Sequence, residues 1–236
     1  MQKKHLENNM LENSLFGLGL YTIGDAASYT GINSRDIQRW LFGYTSNGSY
    51  HSGLWKSALV GKVESHALGF HDLLEIRFVS AFRQYGVSLQ AIRQASHHAQ
   101  ELFDHAYPFT CKKFQTDGRS IFAEVLEETN DETLLDLVKK QYVFKQVIKA
   151  SLYEGIDYSE DGDATRWYPL RRSRAIVLDP NRSFGKPILA STGISTETLA
   201  AAYRAENENL KSVAQIYEIP VAEVEAAIRF EQRNAA

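Results

Sequence analysis

Hydrophobic positions near the start of the chain follow a helical spacing twice in succession. In residues 21–44 a first apolar run is interrupted by Gly31, and Asn33 or Ser34 can cap a second helix. The apolar positions of the two runs are Ile23, Ala26, Ala27 and Tyr29, then Ile37, Trp40 and Leu41. The pattern predicts a helix, a tight turn and a second helix.

The polar positions of the second predicted helix carry Ser34, Arg35, Gln38 and Arg39. Cationic and amide side chains near a helix N-terminus suit contacts to phosphates and to base edges in a DNA major groove. The stretch is therefore either a DNA-reading helix-turn-helix or an ordinary helical hairpin with two exposed arginines. These residues alone do not choose between the two.

A turn-rich stretch follows at 45–53, where Asn47-Gly48 is the strongest hairpin signal in the chain. We interpret it as a possible wing beside the second helix. Tyr50, Lys56 and Lys62 then join the DNA-binding candidates, although for any single lysine a solvated surface side chain is the preferred interpretation.

The middle of the chain predicts more helices and one hairpin. Helical spacing runs over 69–86, and Ser88 caps a second helix that ends near Phe103. Residues 107–125 are interpreted as a β-hairpin that turns at Asp117-Gly118. Residues 133–152 predict a helix with a wide apolar surface, which either packs within the chain or forms a dimer interface.

Residues 154–174 change sign from acidic to basic and are predicted to form a flexible charged linker. Such a segment can contact a partner protein, or its charges can pair with one another. The candidate partner-binding residues are Asp157, Asp161, Asp163, Arg166, Arg171, Arg172 and Arg174.

Residues 175–236 predict two short strands, around 176–178 and 188–190, followed by three helices. The helices cover 196–206, 210–217 and 221–233, so the last two form a second helix-turn-helix by pattern. The final helix carries Glu223, Glu225 and Glu231, which phosphates would repel. Protein binding is therefore the favoured role of this segment.

Composition and charge narrow the function classes. The net charge is −3, and it divides into +2 for residues 1–123 and −5 for 124–236. A single cysteine, Cys111, excludes an internal disulfide, and no catalytic motif, metal-binding motif or cofactor fingerprint is complete. Without a long apolar stretch or a signal-peptide pattern, we predict a non-enzymatic cytoplasmic protein that has no membrane partner.

The front of the chain resembles the MerR-type winged helix-turn-helix family over residues 21–105. The segments that carry the resemblance are YTIGDAASYTGI, RDIQRW and GFHDLLEIRFVSAFRQYGVSLQAIRQA. Gln38 stands where the family usually has an arginine, and the cysteines of its metal sensors are absent. The resemblance implies a DNA reader without the metal sensor, and a homodimer that reads two half-sites.

The rear of the chain resembles small bacterial domains of unknown function, known mainly as antitoxin-like partners of PIN-like ribonuclease toxins. Position 193 is glycine where that family typically has arginine. The resemblance rests on Asp179-Pro180, Gly185-Lys186-Pro187-Ile188, Thr192, Ile194, the helix start 196–199 and Ala226-Ala227-Ile228.

The expected fold is mainly α with small β elements (α+β). The expected function is that of a VapB-type antitoxin that binds a PIN-like ribonuclease toxin and represses its own operon. The alternatives are a stand-alone regulator whose rear domain senses a ligand or dimerises, and a pure protein-interaction module. The predicted organisation is a flexible arm (1–20), a MerR-like winged helix-turn-helix domain (21–105), a β-hairpin with a connecting or dimerisation helix (106–153), the charged linker (154–174) and an antitoxin-like helix-turn-helix domain (175–236).

Overall fold

The computed structural model describes residues 15–63, 66–129, 150–170 and 173–234. Within these ranges the chain divides into two compact units. The front unit comprises 21–154 and 158–164, and the rear unit comprises the segment up to Leu20, 155–157 and 165–236. Helices and short antiparallel strands build both, which confirms the predicted α+β class.

The front unit begins with a helix pair and continues through two longer helices. Its elements are β1 (Tyr21–Thr22), α1 (Ile23–Thr30), α2 (Ser34–Phe42), β2 (Tyr44–Ser46), β3 (Ser49–His51), β4 (Ala67–Leu68), α3 (Phe70–Gln84), α4 (Leu89–Phe103), α5 (Phe114–Thr129) and α6 (Ala150–Tyr153).

The two opening helices form where the sequence pattern places them. Thr22 caps α1 through a reciprocal pair of hydrogen bonds with Asp25. Gly31 ends α1 in the left-handed conformation (φ 72°), which a residue with a Cβ adopts only at a steric cost. Asn33 starts α2 by accepting the Arg35 N–H at 2.9 Å. Local capping chemistry thus sets the sharp turn between the helices.

The predicted β-hairpin over 107–125 is wrong. Residues Phe114–Thr129 form helix α5, which runs through Asp117-Gly118 without a turn. Four phenylalanine rings pack against one another, edge to face or tilted, with centroids 4.9–6.2 Å apart: Phe82, Phe109, Phe114 and Phe122. Burial of this helical stripe overrides the local turn preference of Asp-Gly.

One buried carboxylate, Asp72, ties two parts of the front unit together. Its Oδ1 accepts the Trp55 indole N–H at 2.7 Å. Its Oδ2 accepts the Gly69 N–H at 2.8 Å and a hydrogen bond from the Ser57 hydroxyl. Asp72 is fully buried, and burial raises its pKa while these donors oppose the shift. The irregular segment after β3 is therefore fixed to the start of α3.

A second buried acid, Glu75, lies one turn further along α3. Its Oε1 accepts the N–H and the hydroxyl of Thr110, at 2.9 and 3.2 Å. Its Oε2 is buried and meets no hydrogen-bond partner among the described residues. Burial raises the pKa of Glu75 to about 8, so its carboxyl group is largely protonated at neutral pH.

The rear unit consists of short strands followed by three helices. Its elements include β7 (Ile176–Val177), a 3-10 turn (Ser183–Gly185), β8 (Ile188–Leu189), α7 (Thr196–Ala205), α8 (Leu210–Ile216) and α9 (Val221–Asn234). Ile176 pairs with Leu189, and Leu199, Val213, Val224 and Phe230 form the buried core beneath the helices. All five elements predicted from the pattern are present within about a residue of the expected bounds.

The predicted charged linker contains a sheet that the sequence interpretation missed. Strands β5 (Ile156–Tyr158) and β6 (Ala164–Trp167) pair, and Ser159 N–H donates to the Asp163 carbonyl at 2.9 Å to close their loop. Ile156, Ala164 and Trp167 are buried. The high charge of this stretch conceals its apolar positions in the sequence.

Parts of two predicted segments fall outside the described residues. They are the first 14 residues of the arm and most of the helix predicted over 133–152, including its role in dimerisation. Residues 15–20 of the arm are described, and they lie in the rear unit, where Leu20 N–H donates to the Phe184 carbonyl at 2.9 Å.

We expect Asp72→Ala to destabilise the front unit by about 2–4 kcal/mol, because it leaves the Trp55, Ser57 and Gly69 donors without their acceptor. Urea unfolding followed by circular dichroism measures the change. Asp36→Ala, at a half-buried position on α2, serves as the control and should change stability by less than about 1 kcal/mol. Equal losses in both variants would contradict this role of Asp72.

Glu75→Gln should become progressively more stable than the wild type as the pH rises from 5 to 8. The folded-state pKa of Glu75 is raised above its unfolded value, so the stability associated with its proton is present in acid and lost towards pH 8. The amide imitates the protonated acid at every pH. We expect the stability difference to grow by at least about 1 kcal/mol over this range, measured by urea unfolding at each pH. A difference independent of pH would show that Glu75 is ionised in the folded protein.

Candidate functional site

The outward face of α2 presents the four polar residues predicted to contact DNA. Ser34, Arg35 and Arg39 are exposed, and Gln38 is half-buried, while Ile37 and Trp40 face the core. Positions 34 and 38, like 35 and 39, are four residues apart and lie on the same side of the helix. The structure therefore brings these four side chains onto one surface.

The hairpin of β2 and β3 projects beside this surface. Residues 45–52 are all exposed, so neither face of the hairpin is buried against the unit. Asn47 and Gly48 both have positive φ (49° and 77°), as a type I′ turn requires. A Cβ at Gly43 would lie 2.3 Å from the His51 carbonyl oxygen, so only glycine fits at this approach. The predicted hairpin at Asn47-Gly48 is confirmed.

Two tyrosines attach the hairpin to the end of α2. The Arg39 guanidinium lies over the Tyr44 ring, 4.2 Å from its centroid, and His51 stacks on the same tyrosine at 4.8 Å. The Tyr50 hydroxyl donates to the Phe42 carbonyl at 2.9 Å. These contacts hold Arg39 in a defined place while its side chain remains exposed to solvent.

Gln38 also has a neighbour that sequence reasoning did not anticipate. Its amide nitrogen lies 3.4 Å from His66 Nδ1, and the His66 ring stacks on Phe42 at 4.3 Å. An amide held in this way presents a donor and an acceptor in fixed positions. This pair of groups can hydrogen-bond to a base edge in a DNA major groove.

Lys56 and Lys62 are exposed, and both lie outside α2 and the hairpin. Lys56 lies between Trp55 and Ser57, the two side chains that bind Asp72. Its position is therefore fixed by a buried anchor, whereas Lys62 follows in an irregular turn.

The predicted partner-binding residues are largely paired within the chain. Arg174 donates to both carboxylate oxygens of Asp157, at 2.6 and 2.7 Å, and Arg166 donates to the buried Asp179 at 3.1 Å. These pairings raise the pKa of both guanidinium groups. Arg171 and Arg172 lie outside the described residues.

Asp163 is held by His105, whose Nε2 lies 2.8 Å from Asp163 Oδ1. His105 Nδ1 accepts the Tyr107 N–H at 3.1 Å, so in the neutral ring the proton is on Nε2 and is donated to Asp163. Asp161 is exposed and has no ion pair among the described residues. Of the three acids predicted to contact a partner, only Asp161 is thus left without a charged or imidazole neighbour in this part of the chain.

The residues missed by sequence reasoning are Tyr44, His51 and His66. The hairpin register gave a signal for the first two, because a two-residue turn at 47–48 places Tyr44 opposite His51. His66 gave none, since it reaches Gln38 from 28 positions away in sequence.

Two further kinds of feature are absent from the described ranges. No cluster of three or more histidine, cysteine, aspartate or glutamate side chains there has the arrangement of a metal site. Among the same residues, no helix is both long enough and apolar enough to cross a membrane.

Similarity to known proteins extends along most of the chain, and a family model matches its rear part. Residues 176–230 match the family described as "Protein of unknown function (DUF433)". The chain is 26% identical over 217 residues to the protein named "Putative antitoxin VapB45" from Mycobacterium tuberculosis (strain ATCC 25618 / H37Rv). That similarity covers 86% of this chain and 89% of the relative.

A solved structure shares the fold. The X-ray crystal structure of Rv2018 from Mycobacterium tuberculosis aligns with a TM-score of 0.66 at 22% identity. The alignment covers 90% of this chain and 99% of that chain. The succession of folded elements is therefore shared along nearly the whole length of both proteins, and the rear segment carries the DUF433 sequence pattern.

Proposed function

We propose that this protein is the antitoxin of a bacterial toxin–antitoxin pair, which binds a PIN-like ribonuclease toxin through its rear unit and operator DNA through its front unit. The observation that carries the proposal is the similarity to VapB45, which spans both units and covers most of both proteins. A relative that matched the rear unit alone would have supported only half of this function.

The DNA-binding part of the proposal rests on the face of α2 and the adjoining hairpin. A helix that exposes Arg35, Gln38 and Arg39 beside a projecting hairpin has the arrangement in which MerR-like winged helix-turn-helix proteins enter a major groove. In this role Arg35 and Arg39 contact phosphates, while the Gln38 amide reads adenine. A homodimer would place two such faces on two half-sites.

The toxin-binding part rests on the rear unit and on its charge. Its last helix, α9, carries Glu223, Glu225 and Glu231, which are engaged by Ser191, Arg229 and Thr196 respectively. A nucleic-acid ligand on this helix is disfavoured because phosphates would approach an acidic surface. A protein ligand has no such penalty.

The ion pairs at 157–174 bear on how the toxin is blocked. In one mechanism, Asp157, Asp161 and Asp163 imitate the phosphates of RNA on the toxin surface. Asp157 must then break its pair with Arg174, and Asp163 must break its contact with His105. Asp161 needs no such exchange. The exposed pairs are worth little individually, so a partner can replace them, and Arg171 and Arg172 remain candidates for carboxylates of a toxin.

Arg39→Ala should weaken operator binding about tenfold and lower the salt dependence of binding by about one counterion, because one phosphate contact is lost. Fluorescence anisotropy with DNA from upstream of the gene, titrated at two salt concentrations, measures both effects. Lys113→Ala, which removes an exposed charge outside α2 and the hairpin, should leave binding unchanged.

Gln38→Ala provides the complementary comparison in the same assay. It should relax the preference for one base pair by about 1–3 kcal/mol and leave the salt dependence intact. If Arg39→Ala and Lys113→Ala weaken binding equally, or if the wild type binds all DNA alike, α2 is not a reading helix.

The purified full-length chain should suppress RNA cleavage by the protein encoded in the reading frame next to its own gene. Suppression should reach completion near stoichiometric amounts, because the antitoxin acts by occlusion rather than by turnover. Cleavage of a fluorescent RNA, measured while the chain is titrated in, provides the readout. Unchanged cleavage in the presence of excess chain would argue against the antitoxin role.

A further inference from the structure

Phe184 combines two unfavourable features at one position of the rear unit. Its backbone is left-handed (φ 52°, ψ 31°), directly after Ser183 with φ 49°. Such a conformation is unfavourable for a bulky residue, because its Cβ crowds the backbone. The side chain is 47% exposed, so burial of the ring does not offset that cost in the free protein.

Other apolar side chains lie exposed along the segment that runs beside this turn. Leu20, which donates its N–H to the Phe184 carbonyl, is 37% exposed, and Phe16 is 63% exposed. A Cβ at Gly17 would lie 3.1 Å from the Asn181 side chain, which shows how closely the two segments approach. Two aromatic rings and a leucine therefore face solvent on adjoining stretches of chain, as is typical of a binding surface.

Two cations flank the exposed phenylalanine. Arg182 and Lys186 are exposed, and neither has an acidic partner in an ion pair within the described ranges. The Arg182 guanidinium is positioned over the loop at Gly193, where one of its nitrogens lies 2.6 Å from the point that a Cβ would occupy. This contrasts with Arg166 and Arg174, whose charges are already paired.

We propose that these residues form the surface that binds the partner protein, and that the partner offers an apolar pocket rimmed by carboxylates. We call this surface, formed by Phe16, Leu20, Arg182, Phe184 and Lys186, the Phe184 face. The Phe184 ring fills the pocket, while Arg182 and Lys186 pair with the rim. The inference rests on the proposed antitoxin function, since it specifies which surface engages the toxin.

Charge decides between a partner protein and a second copy of this chain. In a two-fold symmetric dimer the same patch meets itself, so Arg182 and Lys186 of each copy would face a surface that carries the same cations. A carboxylate-rimmed surface matches these charges instead. A protruding aromatic ring with flanking arginine is also the composition of binding hot spots.

Phe184→Asn tests the proposal, because asparagine tolerates the left-handed conformation but cannot fill an apolar pocket. We expect the variant to unfold at the same temperature as the wild type or higher, and to bind at least tenfold more weakly. Binding is measured by calorimetry with the purified product of the adjacent reading frame. Ile216→Asn, which removes a comparably exposed apolar side chain from α8, is the matched control and should bind normally.

Charge reversal provides an independent variant. Arg182→Glu together with Lys186→Glu should weaken the complex, and salt should strengthen the binding of this variant where it weakens that of the wild type, because attraction to the carboxylate rim is replaced by repulsion. Sedimentation of each variant without the partner should match the wild type. A change of self-association caused by Phe184→Asn would overturn the proposal in favour of a contact between copies of the chain.

The outcomes separate this inference from the proposed function. If the wild type binds the adjacent gene product and Phe184→Asn binds it equally well, the antitoxin role stands and the Phe184 face is excluded. If Phe184→Asn lowers the unfolding temperature together with affinity, the residue is structural and the inference fails. If the wild type itself does not bind, both are overturned.

Discussion

The buried carboxylate of Asp72 is the constraint on which the geometry of the front unit depends. Three donors from separate positions in the sequence converge on it, and the carboxylate that they share is fully buried. Because an unpaired buried donor is costly, the segment after the hairpin cannot move without losing the whole set. That segment leads directly from the hairpin to α3, so one acidic side chain limits how freely the exposed hairpin is displaced relative to the core.

Sequence reasoning succeeded where local chemistry determines structure. Thr22, Gly31 and Asn33 cap helix ends through contacts within a few residues of their own positions. The helices that begin or end at these residues were correctly predicted. It failed at Asp117-Gly118, where a strong local turn signal conflicts with a buried aromatic stripe that includes Phe82 from another helix. The β5–β6 sheet was missed for a related reason, because its charges mask apolar residues that are buried only through long-range packing.

In the candidate sites, too, features set by local sequence could be predicted and features set by long-range contacts or single backbone angles could not. The face of α2 could be predicted, since helical periodicity alone separates its polar from its apolar positions. The charged residues of 154–174 could either pair with one another or bind a partner, and the sequence did not choose between these alternatives. The structure shows that Asp157 pairs with Arg174, 17 residues later. The unusual feature of Phe184 could not be predicted from the sequence. That feature is a left-handed backbone conformation, and no residue pattern indicates the φ angle of a single phenylalanine.

The hairpin of β2 and β3 is exposed on both faces and closed by its own two-residue turn. Substitutions at its tip therefore disturb neither the core nor the strand register, so mutation can explore this surface at little cost to folding. Arg39 and Gln38, by contrast, are held by Tyr44 and His66. In a lineage of such proteins, substitutions should therefore accumulate first in the hairpin and only later in the helix. Paralogues in one cell would then come to recognise different ligands while they keep the same scaffold.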